Sequence, residues 1–250
     1  HDSINAMSAF KEITSFLNKE EPERGNVSLE LKESPEIVLR DVGYTYKESG
    51  ASVENINLQL TPGSKTVVFG ESGCGKSTLL ALASGMKLAQ QGSVTWDTVE
   101  INQLSLDTIR SQVGYMGQDI YVFSGTVYDN IAMGDSTITM EQVQQACAAI
   151  GFDKIVEIFA QGYNTLLGEN GRGLSGGQKR MLGMARIFVR DRKFVVCDEP
   201  LAGLDVQSEQ MVYQALNRLL EGRTALLVSH REEIIHLADR VYFMEQGKLR

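Results

Sequence analysis

The sequence predicts a mixed α/β fold, a strand-and-helix core interrupted by a mostly helical insertion. Three observations lead there. Apolar runs such as Val67-Val68-Phe69 and Phe194-Val195-Val196-Cys197 are strand-length. A glycine-rich loop from Gly70 to Gly75 joins the first run to a helix pattern that begins near Lys76. Residues 119–180 then lose the strand signals and carry helix-start signals instead.

In chain order, Ile4, Met7, Phe10, Ile13 and Leu17 recur at helical spacing, and the charged run Lys19 to Gly25 ends that pattern. Residues 36–61 look β-rich. Ile37-Val38-Leu39 and Val42 to Tyr46 read as a pair of short strand pieces, and Ile56 to Leu60 alternates before the Pro62-Gly63 turn. Thr66 to Phe69 is a short buried strand. Thr139 and Gln142 have capping-box spacing ahead of a helix over Glu141 to Ile150, and Asp153 to Ala160 reads as another short helix. Beyond 180, Phe194 to Cys197 is a strand, Val206 to Leu220 a helix closed near Gly222, and Thr224 to Val228 a strand. Arg240 to Leu249 reads as a terminal hairpin turning at Gln246-Gly247.

Composition limits the function classes. The chain has 250 residues, 42% of them hydrophobic and 22% charged, which excludes a wholly disordered polypeptide. With 24 basic and 32 acidic residues, the net charge of −8 argues against broad nucleic-acid binding, and no nucleic-acid partner is expected. Cys74, Cys147 and Cys197 are odd in number and widely spaced, so free thiols in a reducing compartment are expected. No run approaches the roughly 18 apolar residues of a membrane span. The start lacks both a signal peptide and an initiator Met, so a piece of a longer protein is expected.

The chemistry concentrates in three short strings. Gly70-Glu71-Ser72-Gly73-Cys74-Gly75-Lys76-Ser77 matches G-x-x-x-x-G-K-[ST] between a strand and a helix. Its glycines let backbone N–H groups turn in around phosphate oxygens, and the helix N-terminus adds a favourable dipole. Lys76 can neutralise β- and γ-phosphate charge, and Ser77 can ligate Mg²⁺. Phe194 to Glu199 is an apolar strand ending in two carboxylates. Asp198 suits the surroundings of Mg²⁺, and Glu199 suits polarising a water against a γ-phosphate. Leu174-Ser175-Gly176-Gly177-Gln178 opens another helix, with Ser175 as N-cap and two glycines leaving the backbone close to an anion.

In this order and spacing, Gly70 to Thr78, Leu174 to Gln178 and Phe194 to Glu199 resemble the nucleotide-binding domain of an ABC transporter, over about residues 31–250. The resemblance implies a P-loop NTPase core of the RecA-like type, with an antiparallel β subdomain and a helical insertion subdomain. It implies a linker from a missing transmembrane domain over 1–30. The ATPase domain would be 31–250, with its core at 31–118 and 181–250 and its helical subdomain at 119–180. It implies ATP and Mg²⁺ as ligands. Tyr46 fits the aromatic that stacks on adenine, and Gln118 fits the residue that contacts Mg²⁺ and the attacking water. His230 fits the switch residue at the γ-phosphate, and Asp205 the loop that communicates across a dimer. Gly70, Ser72, Gly73, Cys74, Gly75, Lys76, Ser77 and Thr78 would hold the nucleotide, and the Cys74 thiol is expected near it. Ser77, Gln118 and Asp198 would hold the metal.

The subtype implied is an exporter. Phe123 to Ile131 and Gly168-Glu169-Asn170-Gly171 resemble exporter segments. Two domains would then pair head-to-tail, with the phosphate loop of one and Ser175, Gly176, Gly177 and Gln178 of the other sandwiching each ATP. The partners implied are the transporter's transmembrane domain and a second nucleotide-binding domain, identical or different. This places a soluble fragment at the cytoplasmic face of a membrane. Non-transport ATPases of the family carry a long coiled-coil insertion or a second such domain, and neither is present in the sequence. Glu199 and His230 argue against a binding module without turnover. Two departures stand out. Gly117 precedes Gln118 where many exporters have Pro, and Pro200-Leu201-Ala202-Gly203 replaces a hydroxyl-bearing run, so Ala202 lacks a side-chain donor for cross-dimer signalling.

Overall fold

The computed structural model describes residues 24–47, 49–171 and 173–250. The helix pattern over Ile4 to Leu17 lies outside them.

Alternation builds the first sheet. Strands β1 (Ile37–Thr45) and β2 (Ser52–Leu60) pair antiparallel, with Ile37 opposite Leu60 and Leu39 opposite Leu58. Ile56, Leu58 and Leu60 are buried while Asn57 and Gln59 face out. β1 is one strand rather than two pieces. Its register shifts between Leu39 and Val42, where Asp41 takes φ 49°, and this bulge is what interrupts the apolar pattern. β4 (Gln91–Trp96) and β5 (Val99–Glu100) complete a four-stranded sheet in the order β2-β1-β4-β5.

The second sheet contains β3 (Lys65–Phe69), β6 (Val113–Met116), β9 (Phe194–Asp198), β10 (Thr224–Ser229), β11 (Arg240–Glu245) and β12 (Lys248–Leu249). Its order is β12-β11-β3-β10-β9-β6, parallel except for β12. The terminal hairpin forms as β11 and β12, and β11 also lies parallel beside β3. Both faces of this sheet are covered, as parallel strands require. Val67, Val195, Cys197 and Leu227 enter one core, while their neighbours Val68, Val196, Leu226 and Val228 enter the other.

Helices α1 (Lys76–Ala83) and α2 (Leu106–Gln112) pack with the second of these cores, through Leu79, Leu80, Leu82 and Ile109. The insertion carries α3 (Val127–Ala132), α4 (Met140–Ile150) and α5 (Asp153–Val156), and a short pair of strands, β7 (Gly125–Thr126) and β8 (Leu166–Leu167). Thr139 and Gln142 close the expected capping box on α4, at 3.3 and 2.8 Å. The helix expected over Asp153 to Ala160 ends at Val156 and continues as turns. Then α6 (Gly176–Phe188) and α7 (Val206–Leu220) pack with the insertion against the first core.

Residues of the segment read as a linker are bonded to the domain where they are described. Gly25 N–H donates to the Asn102 carbonyl at 2.7 Å and Val27 N–H to that of Gln103 at 2.9 Å. Leu31 is buried, and its N–H donates to Gln112 Oε1 at 2.9 Å.

Candidate active site at the carboxyl edge of the parallel sheet

Open parallel sheets bind ligands beyond the carboxyl ends of their strands. Here β3 ends at the glycine-rich loop, β9 at Asp198-Glu199, and β10 at Ser229-His230. These three neighbouring strand ends bring the glycine-rich loop, Asp198, Glu199 and His230 to one edge.

The loop is set by its glycines. Gly73 and Gly75 have φ of 82° and 110°, a region that side chains resist. A Cβ on Gly75 would also lie 2.7 Å from Val53 Cγ1 and 2.8 Å from Met244 Cε, so β2 and β11 pack directly on the loop. Lys76 is 6% exposed, and its Nζ donates to the Gly70 and Glu71 carbonyls at 2.7 and 2.9 Å. The ammonium thus spans the ring that α1 opens from.

Two carboxylates face it. Asp198 is buried and accepts a hydrogen bond from Ser77. Burial pushes its pKa up, the Glu199 charge adds to that, and the Ser77 bond and Lys76 oppose it. Glu199 has φ 48°, strained for a non-glycine residue, with its N–H on the Val228 carbonyl at 3.0 Å. That twist aims the side chain into a ring of donors. Oε1 is 2.9 Å from His230 Nδ1, which puts a proton on Nδ1, and 3.6 Å from Lys76 Nζ. Oε2 accepts from Ser229 Oγ at 3.3 Å and His230 N–H at 3.4 Å.

These groups line a cleft of about 500 Å³. Ser72, Gly73, Gly75, Lys76, Ser77, Thr78, Gln118, Asp198, Glu199 and His230 from the sequence reading all border it. Glu71 borders it too, and it escaped the reading because that loop position tolerates any side chain. Tyr46 stands beside the cleft rather than on its wall, with its hydroxyl 3.3 Å from Thr78 Oγ1. Lys87 Nζ lies 4.9 Å from the Tyr46 ring and 5.0 Å from that of Tyr44, an arrangement without any sequence motif.

Cys74, expected near the nucleotide, lies on the other side of the loop wall. Its side chain faces a second cleft on the reverse of the loop, with Phe243 and Met244, and does not line the nucleotide cleft. Gly70 also belongs to that reverse wall.

Ser175, Gly176, Gly177 and Gln178 do not border the nucleotide cleft of their own chain. Ser175 and Gln178 satisfy each other in a capping box, at 3.2 and 2.9 Å, which leaves the first-turn amides of Gly176 and Gly177 without an intrahelical partner. Asp205 caps α7 by accepting from Ser208 N–H at 2.9 Å and Ser208 Oγ at 2.7 Å. A Cβ on Gly177 would lie 2.8 Å from Ser208 Cβ, so the two helix starts pack on each other.

A glycine-rich phosphate loop between strand and helix, facing paired carboxylates at adjacent strand ends, defines a P-loop nucleoside-triphosphatase domain. The sequence profile described as ABC transporter matches residues 53–202, and the chain belongs to the ABC transporter family as one of its ATPase domains. It is 34% identical over 248 residues to the uncharacterized ABC transporter ATP-binding protein YknV of Bacillus subtilis, covering 98% of this chain and 41% of that one. It is 35% identical over 213 residues to the ATP-dependent lipid A-core flippase of Hahella chejuensis, covering 84% of this chain and 36% of that one. A solved structure of a bacterial Atm1-family ABC exporter with ATP bound superposes with a TM-score of 0.83 at 25% identity, over 98% of this chain and 43% of that one. The chain thus spans less than half the length of these relatives. Among the described residues no helix is long and apolar enough to cross a membrane.

Proposed function

We propose that this chain is the ATP-hydrolysing motor of an ABC exporter, acting on Mg·ATP at the cytoplasmic face of a membrane and pairing head-to-tail with a second such domain. The observation that carries the reading is Glu199, held in a left-handed conformation with its carboxylate between Lys76 and His230 at the mouth of the phosphate loop.

The loop amides and Lys76 receive the β- and γ-phosphates. Glu199 accepts a proton from water as that water attacks the γ-phosphorus, and ADP leaves with the bridging oxygen's charge offset by Lys76. His230 fixes the orientation of Glu199 by donating from Nδ1. Among the described residues no group of three or more His, Cys, Asp and Glu converges as a metal cage. The oxygen donors Ser77, Asp198 and Gln118 nonetheless fit Mg²⁺, which takes one or two carboxylates and completes its shell with substrate phosphates and water. Bound Mg²⁺ would neutralise charge on those phosphates. Tyr46 stacks the adenine.

The start of α6, off its own cleft and with the Gly176 and Gly177 amides outside the capping box, suits contact with a nucleotide held by a partner domain. The transmembrane partner suits a separate cleft of about 470 Å³ between β6 and the insertion, where Tyr121 and Met133 are exposed beside Arg186 and Arg190.

The test is Mg·ATP hydrolysis as protein concentration rises, with Glu199→Gln as control. Turnover per molecule should climb with concentration and fall by about 10²–10⁴-fold in the variant, while ATP binding is kept. Unchanged turnover in the variant would reassign the base. Turnover independent of concentration would overturn the composite site.

A further inference from the structure

Arg180 is the one motif neighbour for which this reading has no use. It lies in α6, just after the Leu174 to Gln178 string, and is 7% exposed. Nη2 donates to the Ala202 carbonyl at 2.8 Å. Nη1 is enclosed and has no hydrogen-bond partner among the described residues. Burial pulls the guanidinium pKa down, and Asp119, Cys197 and Glu199, in that order, oppose the shift.

A guanidinium carries five N–H donors, and burying one unpaired is costly. The position of Arg180 makes sense of the charge. It ties together two segments that nucleotide chemistry must bring into register: α6 and the loop that follows Glu199. That loop is the Pro200 to Gly203 run in which Ala202 has no side-chain donor or acceptor. Ala202 is tied by its main chain instead.

We infer that Arg180 is a positioning residue for ATP hydrolysis, which holds the loop after Glu199 to α6 through the Ala202 carbonyl. Arg180 does not line the nucleotide cleft, so it acts through Glu199 and not on the substrate. The inference rests on Glu199 being the base.

The experiment compares Arg180→Gln and Arg180→Lys with the unaltered chain by amide hydrogen exchange and by steady-state hydrolysis. In Arg180→Gln the amides of 201–205 should exchange about tenfold faster or more, the effect of losing a charge-assisted bond, with those of α7 beyond its first turn unchanged. Lysine, which still donates one bond, should restore most of the protection. Where turnover is measured, kcat should fall about tenfold with KM for ATP within about twofold. Unchanged exchange at 201–205, or a raised KM at constant kcat, overturns the inference. Exchange decides the question even if neither protein turns over. Failure of the base reading is separate, because it appears as wild-type hydrolysis by Glu199→Gln.

Discussion

At the scale of single residues, the phosphate loop shows how far a motif reaches. The string Gly70 to Ser77 predicted a strand, a turn and a helix, and the glycines that turn it are at 73 and 75. Cys74 faces the β11 side of the loop, because a motif fixes the path of the backbone but not which way a permissive position points. Gly70 is constrained for another reason. A Cβ there would lie 2.8 Å from Cys74 Sγ and closer still to the Met244 carbonyl oxygen. The sulfur can swing aside and the carbonyl, fixed in the β11–β12 hairpin, cannot. Gly70→Ala should therefore destabilise the chain by about 1–3 kcal/mol, and adding Cys74→Ala should recover little of that loss. Urea denaturation of the two variants checks it, and full rescue by Cys74→Ala would place the strain on the sulfur. Glu199 was legible because it ends a string, and Gln118 and His230 only because the family resemblance pointed to them. Lys87 and Arg180 were not, since their roles arise from residues far apart in sequence.

Elements were read well where local chemistry decides them and poorly where partners do. The α4 cap and the alternation of β2 are local, and both form as read. β4 has only Val94 and Trp96 buried, and it becomes a strand because β1 offers it an edge. The stretch Phe123 to Ile131 resembles an exporter segment, and it is also a self-closing unit. Asn130 is buried, accepts from Phe123 N–H at 3.1 Å, and donates to the Phe123 carbonyl at 2.9 Å. Thr126 and Asp129 cap α3 reciprocally, and the Thr126 bonds hold the Asp129 carboxyl below its usual pKa. The sign follows from that depression. The folded state favours the carboxylate, so the stabilisation is present above the unfolded pKa and is lost as pH falls through the lower folded one. Asp129→Asn should lower Tm near neutral pH, and the deficit should shrink steadily below about pH 4. Thermal unfolding across pH checks this, and a deficit constant down to pH 2 would assign the loss to shape and not to charge.

At the scale of the whole molecule, the parallel sheet divides the interior into two cores while serving both. The sequence announced this as apolar runs without alternation, which mark strands covered on both faces. It gave no order for those strands, because the order depends on crossover connections rather than on any run's composition. The consequence is energetic. Leu226 and Leu227 are adjacent and both fully buried, yet Leu226 faces the core shared with β1 and β2, and Leu227 the core shared with the insertion. Neither core can open without stripping one face of β10, whose carboxyl end carries Ser229 and His230. The two layers should therefore unfold together, and the site with them. Leu226→Ala and Leu227→Ala should each cost about 2–5 kcal/mol, and each should shift a single transition followed by both far-ultraviolet circular dichroism and Trp96 fluorescence. Trp96 sits in the Leu226 core and so reports on that side alone. If Leu227→Ala lowered the circular-dichroism midpoint and left the Trp96 midpoint in place, the insertion side would be a separate cooperative unit. Motion of the insertion could then proceed without loosening the sheet that holds the nucleotide. Coincident midpoints in both variants would mean that the insertion moves as a rigid body about its connections, with the strand ends that carry Glu199 and His230 kept in register throughout.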